Sequence, residues 1–189
     1  MSGIEGHQAG IHATTVVHGE RGVLILGPSG SGKSALALAL LARARAAGAF
    51  GALVGDDRIW VRSVGGRLFA SGSPRTAGLI ERRGVGLVAA PHEAAALVAL
   101  VVELGEPGLG LPRLPDGPNV VTIEGIGVPR LLLNSSLSAA DQAATVEERL
   151  GAIVAADAKR KGISLEHCAA VHKNGKLAGS RRARRTPEA

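Results

Sequence analysis

Three features of the sequence predict an α/β fold with a mixed sheet and flanking helices. An aliphatic run at residues 23–26 leads straight into a glycine-rich octapeptide, and the octapeptide opens a stretch of Ala and Leu of helical length. Short β-type runs then recur between glycine and proline turns through most of the chain. With 189 residues and 46% hydrophobic composition, the chain has enough apolar material for one domain with a sizeable core.

In chain order, residues 12–17 and 23–26 predict two strands joined by a turn at Gly19-Glu20-Arg21-Gly22. Residues 34–47 predict a largely buried helix, with Arg43 and Arg45 near its end and Gly48 as a stop. A short strand at 51–54 ends at Asp56-Asp57, and 58–63 with 67–70 predict a hairpin around Val64-Gly65-Gly66. Beyond Pro74, the glycines within 79–88 predict a turn leading into a strand. A strand is expected at 97–104, a Gly/Pro-rich loop at 105–118, and strands at 120–124 and 130–133. The last helix spans 138–156, with Ser138 as its cap and Asp141 completing an acidic form of the capping box. No internal repeat is present.

The formal charge of +6 is unevenly placed. Residues 1–158 carry 13 Lys/Arg against 14 Asp/Glu, a net of −1, while 159–189 carry 9 against 2, a net of +7. Residues 1–158 therefore read as the globular domain and 159–189 as a basic, disordered tail. A solvated terminus is preferred to a nucleic-acid arm, because no aromatic residue is interleaved with the charges. With two Phe, one Trp and no Tyr, the chain has few means of building an aromatic recognition platform. No partnership with DNA or RNA is expected. No apolar run reaches the roughly 18 residues that span a bilayer, and no secretory pattern opens the chain, so a soluble, cytoplasmic protein without a membrane partner is expected. The single cysteine, Cys168, cannot form an internal disulfide.

The octapeptide Gly27-Pro28-Ser29-Gly30-Ser31-Gly32-Lys33-Ser34 matches the phosphate-binding loop G-x-x-x-x-G-K-[ST]. Its backbone amides and the following helix N-terminus cradle phosphates, Lys33 neutralises charge on the β and γ groups, and Ser34 ligates Mg²⁺. The alternative, a plain glycine turn, does not account for the strand before it and the helix after it. The loop alone does not select among kinases, GTPases and motors. The strings Asn-Lys-x-Asp, Asp-x-x-Gly and Leu-Ser-Gly-Gly-Gln are all missing, which argues against GTPases and transporter ATPases.

Asp56-Asp57 lies just past a strand, about two dozen residues after the loop. There one carboxylate can hold Mg²⁺ or its water while the other takes a proton from an incoming hydroxyl. An isolated Asp-Asp would more often be a solvated turn. Glu81 could complete the metal environment and Arg83 could stabilise transferring charge, although by composition both read as a surface charge cluster. His12 could approach bound phosphate, but a lone histidine is more often structural. His7, His18, His92, His167 and His172 show no metal-site spacing, and Arg130 is uninformative by itself.

Together these pieces resemble the C-terminal catalytic domain of bacterial HPr kinase/phosphorylase, from about Ile11 to about Leu133. His12 stands where that family has its functional histidine. Gly27 to Ser34 is similar to its nucleotide loop, Gly55-Asp56-Asp57-Arg58 to its Ala-Asp-Asp segment, and Ile80-Glu81-Arg82-Arg83-Gly84-Val85-Gly86 to its Leu-Glu-Ile-Arg-Gly-Leu-Gly signature. The resemblance implies a P-loop kinase-like fold, with Lys33 on phosphate and Ser34 with Glu81 on Mg²⁺. It also implies Asp57 as proton acceptor assisted by Asp56, and His12 positioning phosphate. Arg83 and Gly84 would lie in a loop that meets the protein substrate. Arg130 is the nearest equivalent of a functional arginine, within Ile126-Gly127-Val128-Pro129-Arg130-Leu131, a segment that departs from the family's Pro-Val-x-x-Gly-Arg/Lys-Asn pattern. Longer members carry an N-terminal domain, whereas only about ten residues precede His12 here.

The expected function is transfer of the γ-phosphoryl of ATP, with Mg²⁺, to a serine of HPr or a close relative. That places the chain in phosphotransferase-system regulation of carbon metabolism, and a homo-oligomer is compatible with the resemblance. The same site could run in reverse with inorganic phosphate, releasing pyrophosphate. Two alternatives stay open: a small-molecule or nucleotide kinase on a similar scaffold, and a nucleotide-binding sensor that has lost transfer.

Overall fold

The structure is a computed structural model and describes residues 10–105 and 119–160. The expected loop beyond Gly105, the basic tail from residue 161 onward, and His7, His167, His172 and Cys168 lie outside the described residues. The elements run β1 (Ile11–His12), β2 (Thr14–His18), β3 (Arg21–Leu26), α1 (Lys33–Ala46), β4 (Gly51–Gly55), β5 (Arg58–Val64) and β6 (Arg67–Gly72). After a 3₁₀ turn at Pro74–Thr76 come β7 (Leu79–Arg82), β8 (Gly86–Ala89), β9 (Ala95–Gly105), β10 (Val120–Ile123), β11 (Ile126–Asn134) and α2 (Ala139–Arg160).

Nine strands form one mixed sheet in the order β1-β5-β6-β9-β3-β2-β4, with β11 also paired to β9 and β10 paired to β11. β9 is the organising strand. It runs parallel to β3, with Leu26 opposite Glu103, and parallel to β11, with Arg130 opposite Val101. Its first residues, Ala95 to Leu97, pair antiparallel with β6. The phosphate loop follows β3, so it leaves the sheet at the C-terminal end of a parallel strand, where α/β sheets place their ligands.

One core, including Leu24, Ile59, Val61, Leu68, Val98, Val101 and Val128, fills the space between the central strands and the β5–β6 hairpin. α1 packs on β2 and β4, burying Leu36, Ala37, Leu40 and Ala44. Leu36 and Leu40 are fully buried, each contributing about 1.5–3 kcal/mol, and this fixes the helix that carries Lys33 at its start. The helix ends as its composition dictates, with Gly48 at φ 65 and its N–H donating to the Arg45 carbonyl.

Three expectations are refined. Residues 79–89 form a two-stranded antiparallel hairpin, β7–β8, rather than a turn into one strand. β11 begins at Ile126 and passes through Pro129, so Arg130 is a strand residue. α2 continues past residue 156 to Arg160, taking in two residues expected in the tail. Residues 1–150 form one compact unit and 151–189 a second, of which only the last turns of α2 are described. No described helix is long and apolar enough to cross a membrane.

Candidate active site

The loop needs glycine where its chain must turn against neighbours. A Cβ on Gly27, at φ 150, would lie 2.7 Å from Ser31 Oγ and 2.9 Å from the Leu104 carbonyl oxygen. Gly32, at φ 96, is the N-cap of α1, and no side chain caps the helix there. The first-turn amides are thus left for a ligand, at the positive end of a 14-residue helix.

Lys33 is only 6% exposed. Its ammonium donates to the carbonyl oxygens of Gly27 (3.0 Å) and Pro28 (2.9 Å) and to His12 Nε2 (2.9 Å), which uses all three of its protons. Burial pushes its pKa below the ordinary 10.5, a shift partly opposed by the negative charges of Asp56 and Asp57. Because His12 accepts at Nε2, its ring proton resides on Nδ1, 2.8 Å from Asp57 Oδ1. Asp57, His12 and Lys33 thereby form one continuous chain.

The two aspartates have opposite surroundings. Asp56 accepts from Thr14 Oγ1 at 2.6 Å, from Ser34 Oγ at 3.1 Å to each carboxylate oxygen, and from the Glu81 backbone N–H at 3.1 Å. Asp57 sits at φ 71, and its side chain is 82% exposed. A left-handed residue costs roughly 1–2 kcal/mol, although Asp tolerates it better than most. Hydrogen bonds on either side hold the turn, from Ala13 N to the Asp57 carbonyl (3.3 Å) and from Arg58 N to the Asp56 carbonyl (2.9 Å). The turn can form because two backbones nearly touch beneath it. A Cβ on Gly72 would lie 2.1 Å from the Val54 carbonyl oxygen, and one on Gly55 would lie 2.8 Å from the Gly72 Cα. Glycine at both positions lets the ends of β4 and β6 meet and aims the aspartates at the loop.

The expected residues divide into three groups. Lys33, Ser34, His12, Asp56 and Asp57 converge in one hydrogen-bonded cluster. Glu81 joins it through its backbone N–H, which donates to the Asp56 carboxylate. Arg83 and Gly84 lie in the exposed β7–β8 turn, closed by a bond from Val85 N to the Arg82 carbonyl (2.9 Å). Arg130 stands apart on β11 and pairs with Glu103 at 3.5 Å. Sequence reasoning missed Thr14, a fully buried hydroxyl that opens β2, and the Gly55–Gly72 crossing.

The donor set suits Mg²⁺. Ser34 Oγ and the Asp56 carboxylate offer hard oxygens side by side next to the loop, and Mg²⁺ in phosphoryl-transfer sites takes only a few protein ligands and completes its shell with phosphate and water. Among the described residues no group of three or more His, Cys, Asp or Glu side chains is gathered for a metal.

Comparison with known proteins bears on the family and the fold. The profile of the HPr Serine kinase C-terminal domain matches residues 6–96. An HPr kinase/phosphorylase of Clostridium tetani (strain Massachusetts / E88) is 39% identical over 70 residues, which are 37% of this chain and 21% of that protein. The match thus spans about a fifth of that relative's length. The solved structure of the Hpr(Ser) kinase/phosphatase from Coxiella burnetii superimposes with a TM-score of 0.62 at 27% identity, over 75% of this chain and 96% of that one. Together these matches support an HPr serine kinase C-terminal domain, whose profile lies over residues 6–96 of the chain.

Proposed function

We propose that the chain is an ATP-dependent protein serine kinase of the cytoplasm that phosphorylates an HPr-type phosphocarrier. The observation that carries this reading is the division between the aspartates. Three neighbours donate to Asp56, leaving it little capacity to act as a base, whereas Asp57 is exposed and keeps one carboxylate oxygen free of the His12 contact. A hydroxyl arriving from solvent meets Asp57 first.

In the forward direction the loop amides and the α1 N-terminus hold the nucleotide phosphates. Lys33 exchanges its loop carbonyls and His12 for phosphate oxygens, which as anions are the stronger acceptors. Asp57 takes the serine proton as the oxygen attacks the γ-phosphorus, and His12 Nδ1–H keeps the carboxylate oriented. Ser34 and Asp56 would hold Mg²⁺, with the Glu81 carboxylate adding charge nearby. When bound, the ion would supply positive charge against the phosphates. Rate enhancement rests on positioning and electrostatics, since a loose phosphoryl-transfer transition state needs little covalent help. Arg83 and Gly84 would face the carrier, and Arg130 would act through Glu103, which lies opposite Leu26 next to the loop. The activity belongs to residues 1–158, with 159–189 as a basic tail outside the chemistry.

The reverse reaction uses the same groups. A phosphate oxygen attacks the phosphoserine phosphorus, the serine O–P bond breaks as the P–O–P bond forms, and Asp57 returns the proton to the serine oxygen.

Incubation with purified HPr-type carriers and Mg·ATP, followed by mass spectrometry, should locate a single phosphoserine. Labelled phosphate added to that product should yield labelled pyrophosphate. Turnover stimulated by a metabolite panel but not by any carrier would instead make this a small-molecule kinase, and binding without any product would make it a sensor.

A further inference from the structure

The β5–β6 hairpin has a face that the site does not use. Ile59 and Val61 point into the core, as do Leu68 and Ala70, so the alternate residues Arg58, Trp60, Arg62 and Val64 of β5 and Arg67 and Phe69 of β6 lie on the opposite face. Arg62 pairs with Phe69, and Val64 with Arg67. Trp60 sits opposite Ser71, which makes it a diagonal neighbour of Phe69. The chain has three aromatic residues in all, and this face holds two of them. The few aromatics that the sequence offers are thus brought together on one face by strand pairing.

The charge of this face is as one-sided as its apolar content. From Arg58 to Ile80 the chain has four arginines and no carboxylate, within a domain whose first 158 residues balance at −1. Arg58, Arg62 and Arg67 are exposed and make no ion pair among the described residues. Val64 is 47% exposed, while Trp60 and Phe69 are half-buried, with Gly10 lying against Arg58 and Trp60. Trp and Arg around a partly exposed apolar centre are the residues that supply most binding energy at protein interfaces.

The location adds a functional link. The strip starts at the residue after Asp57, and His12 pairs with Arg58 across β1 and β5. From Asp57 to Val64 an extended strand covers about 23 Å, enough for one side of a modest protein interface.

We infer that the outer face of the β5–β6 hairpin docks the protein substrate, through a surface of that partner with carboxylates around an apolar patch, and so delivers its serine to Asp57. The inference rests on the protein-kinase reading proposed above. A positive face without internal partners selects an acidic partner and speeds its encounter, and the aromatic pair supplies the apolar anchor.

The test compares wild type with Arg62→Glu/Arg67→Glu and with Trp60→Ala, using purified HPr-type carriers. The inference expects the charge reversal to raise KM for the carrier by roughly tenfold or more, with kcat at saturating carrier and Mg·ATP affinity unchanged. Wild-type KM should rise with ionic strength more steeply than that of the variant. Unchanged Mg·ATP affinity certifies folding, and the milder Arg62→Gln/Arg67→Gln pair should move KM in the same direction by less. If wild type phosphorylates a carrier and the KM of every variant is unaltered, the docking inference fails while the kinase reading stands. If wild type phosphorylates no carrier, the kinase reading fails and takes this one with it. Variant-sensitive binding of a fluorescent oligothymidylate, or variant-sensitive dimerisation in sedimentation, with carrier KM unaltered, would reassign the face to nucleic acid or to a second copy and overturn the inference.

Discussion

On the nucleotide side of the site, Thr14 is fully buried, Lys33 is 6% exposed, and every polar atom of the Thr14–Asp56–Ser34 cluster is tied to another. On the acceptor side, the Asp57 side chain is 82% exposed, and Val85 and Leu87 of the β7–β8 hairpin are 65% and 69% exposed. The first region is set by its own packing, and its geometry holds whatever protein arrives. The second presents side chains whose contacts are still to be made. Adjacent residues, Asp56 and Asp57, thus belong to different regions, separated by one left-handed turn. On the proposed reading, phosphate binding and acceptor recognition should therefore be separable by substitution.

Substitutions can break this separation or sharpen it. The largest effect is expected for Lys33→Ala, which removes the only buried ammonium at the loop: transfer should become undetectable, and Mg·ATP affinity should fall roughly 100-fold in calorimetry. Near-normal turnover in a folded variant would dismantle the nucleotide side as described.

Thr14→Val deletes the shortest bond to Asp56 and should raise the Mg²⁺ requirement of turnover by roughly tenfold, with Thr14→Ser restoring it. Glu81→Gln should raise the requirement less, because its backbone N–H still reaches Asp56. A Thr14→Val protein with an unaltered magnesium titration would separate Asp56 from the metal.

Acidity offers a gentler probe. In the proposed reaction the protonated Lys33 meets phosphate, and burial holds its pKa below 10.5. The alkaline limb of kcat/KM should therefore fall as pH rises through a value below 10.5, losing activity earlier than an exposed lysine would. A limb at or above the ordinary lysine value would show that the neighbouring aspartates outweigh burial in the free enzyme.

The smallest effect is expected away from both regions. Glu147 of α2 bonds Arg43 Nη2 at 2.6 Å and His18 Nε2 at 3.2 Å, and the Glu147 interaction raises the Arg43 pKa. Glu147→Ala should lower the melting temperature by roughly 2 °C and leave Mg·ATP affinity unchanged, because the pair is partly exposed and screened. A change in affinity would tie α2 to the loop.

What could be read from the sequence follows the same division. The phosphate loop was legible because its chemistry is local: glycines, one lysine and one hydroxyl in a fixed frame between a strand and a helix. The β7–β8 hairpin was not, since Gly84-Val85-Gly86 signals a turn whether or not 79–82 later pairs with 86–89. Pro129 hid the first half of β11. A proline ordinarily interrupts a sheet, yet here it lies in the β10–β11 pairing opposite Val120. The unequal surroundings of Asp56 and Asp57 depend on Thr14, 42 residues upstream of Asp56, and on a close approach of Gly55 to Gly72. No window of local sequence contains such contacts. The face of Trp60 and Phe69 was written in the alternation of each strand but emerged only from their register.

The central claim is that one aspartate holds the nucleotide site and the other serves the acceptor. It is tested most directly by measuring Mg·ATP affinity and carrier phosphorylation side by side for Asp56→Asn and Asp57→Asn. The account predicts that Asp57→Asn binds Mg·ATP within about twofold of wild type while kcat falls roughly 10²- to 10⁴-fold. It predicts that Asp56→Asn loses magnesium-dependent nucleotide affinity as well as turnover. The reverse pattern, with Asp56→Asn binding normally but failing to transfer and Asp57→Asn losing magnesium-dependent affinity, would contradict it.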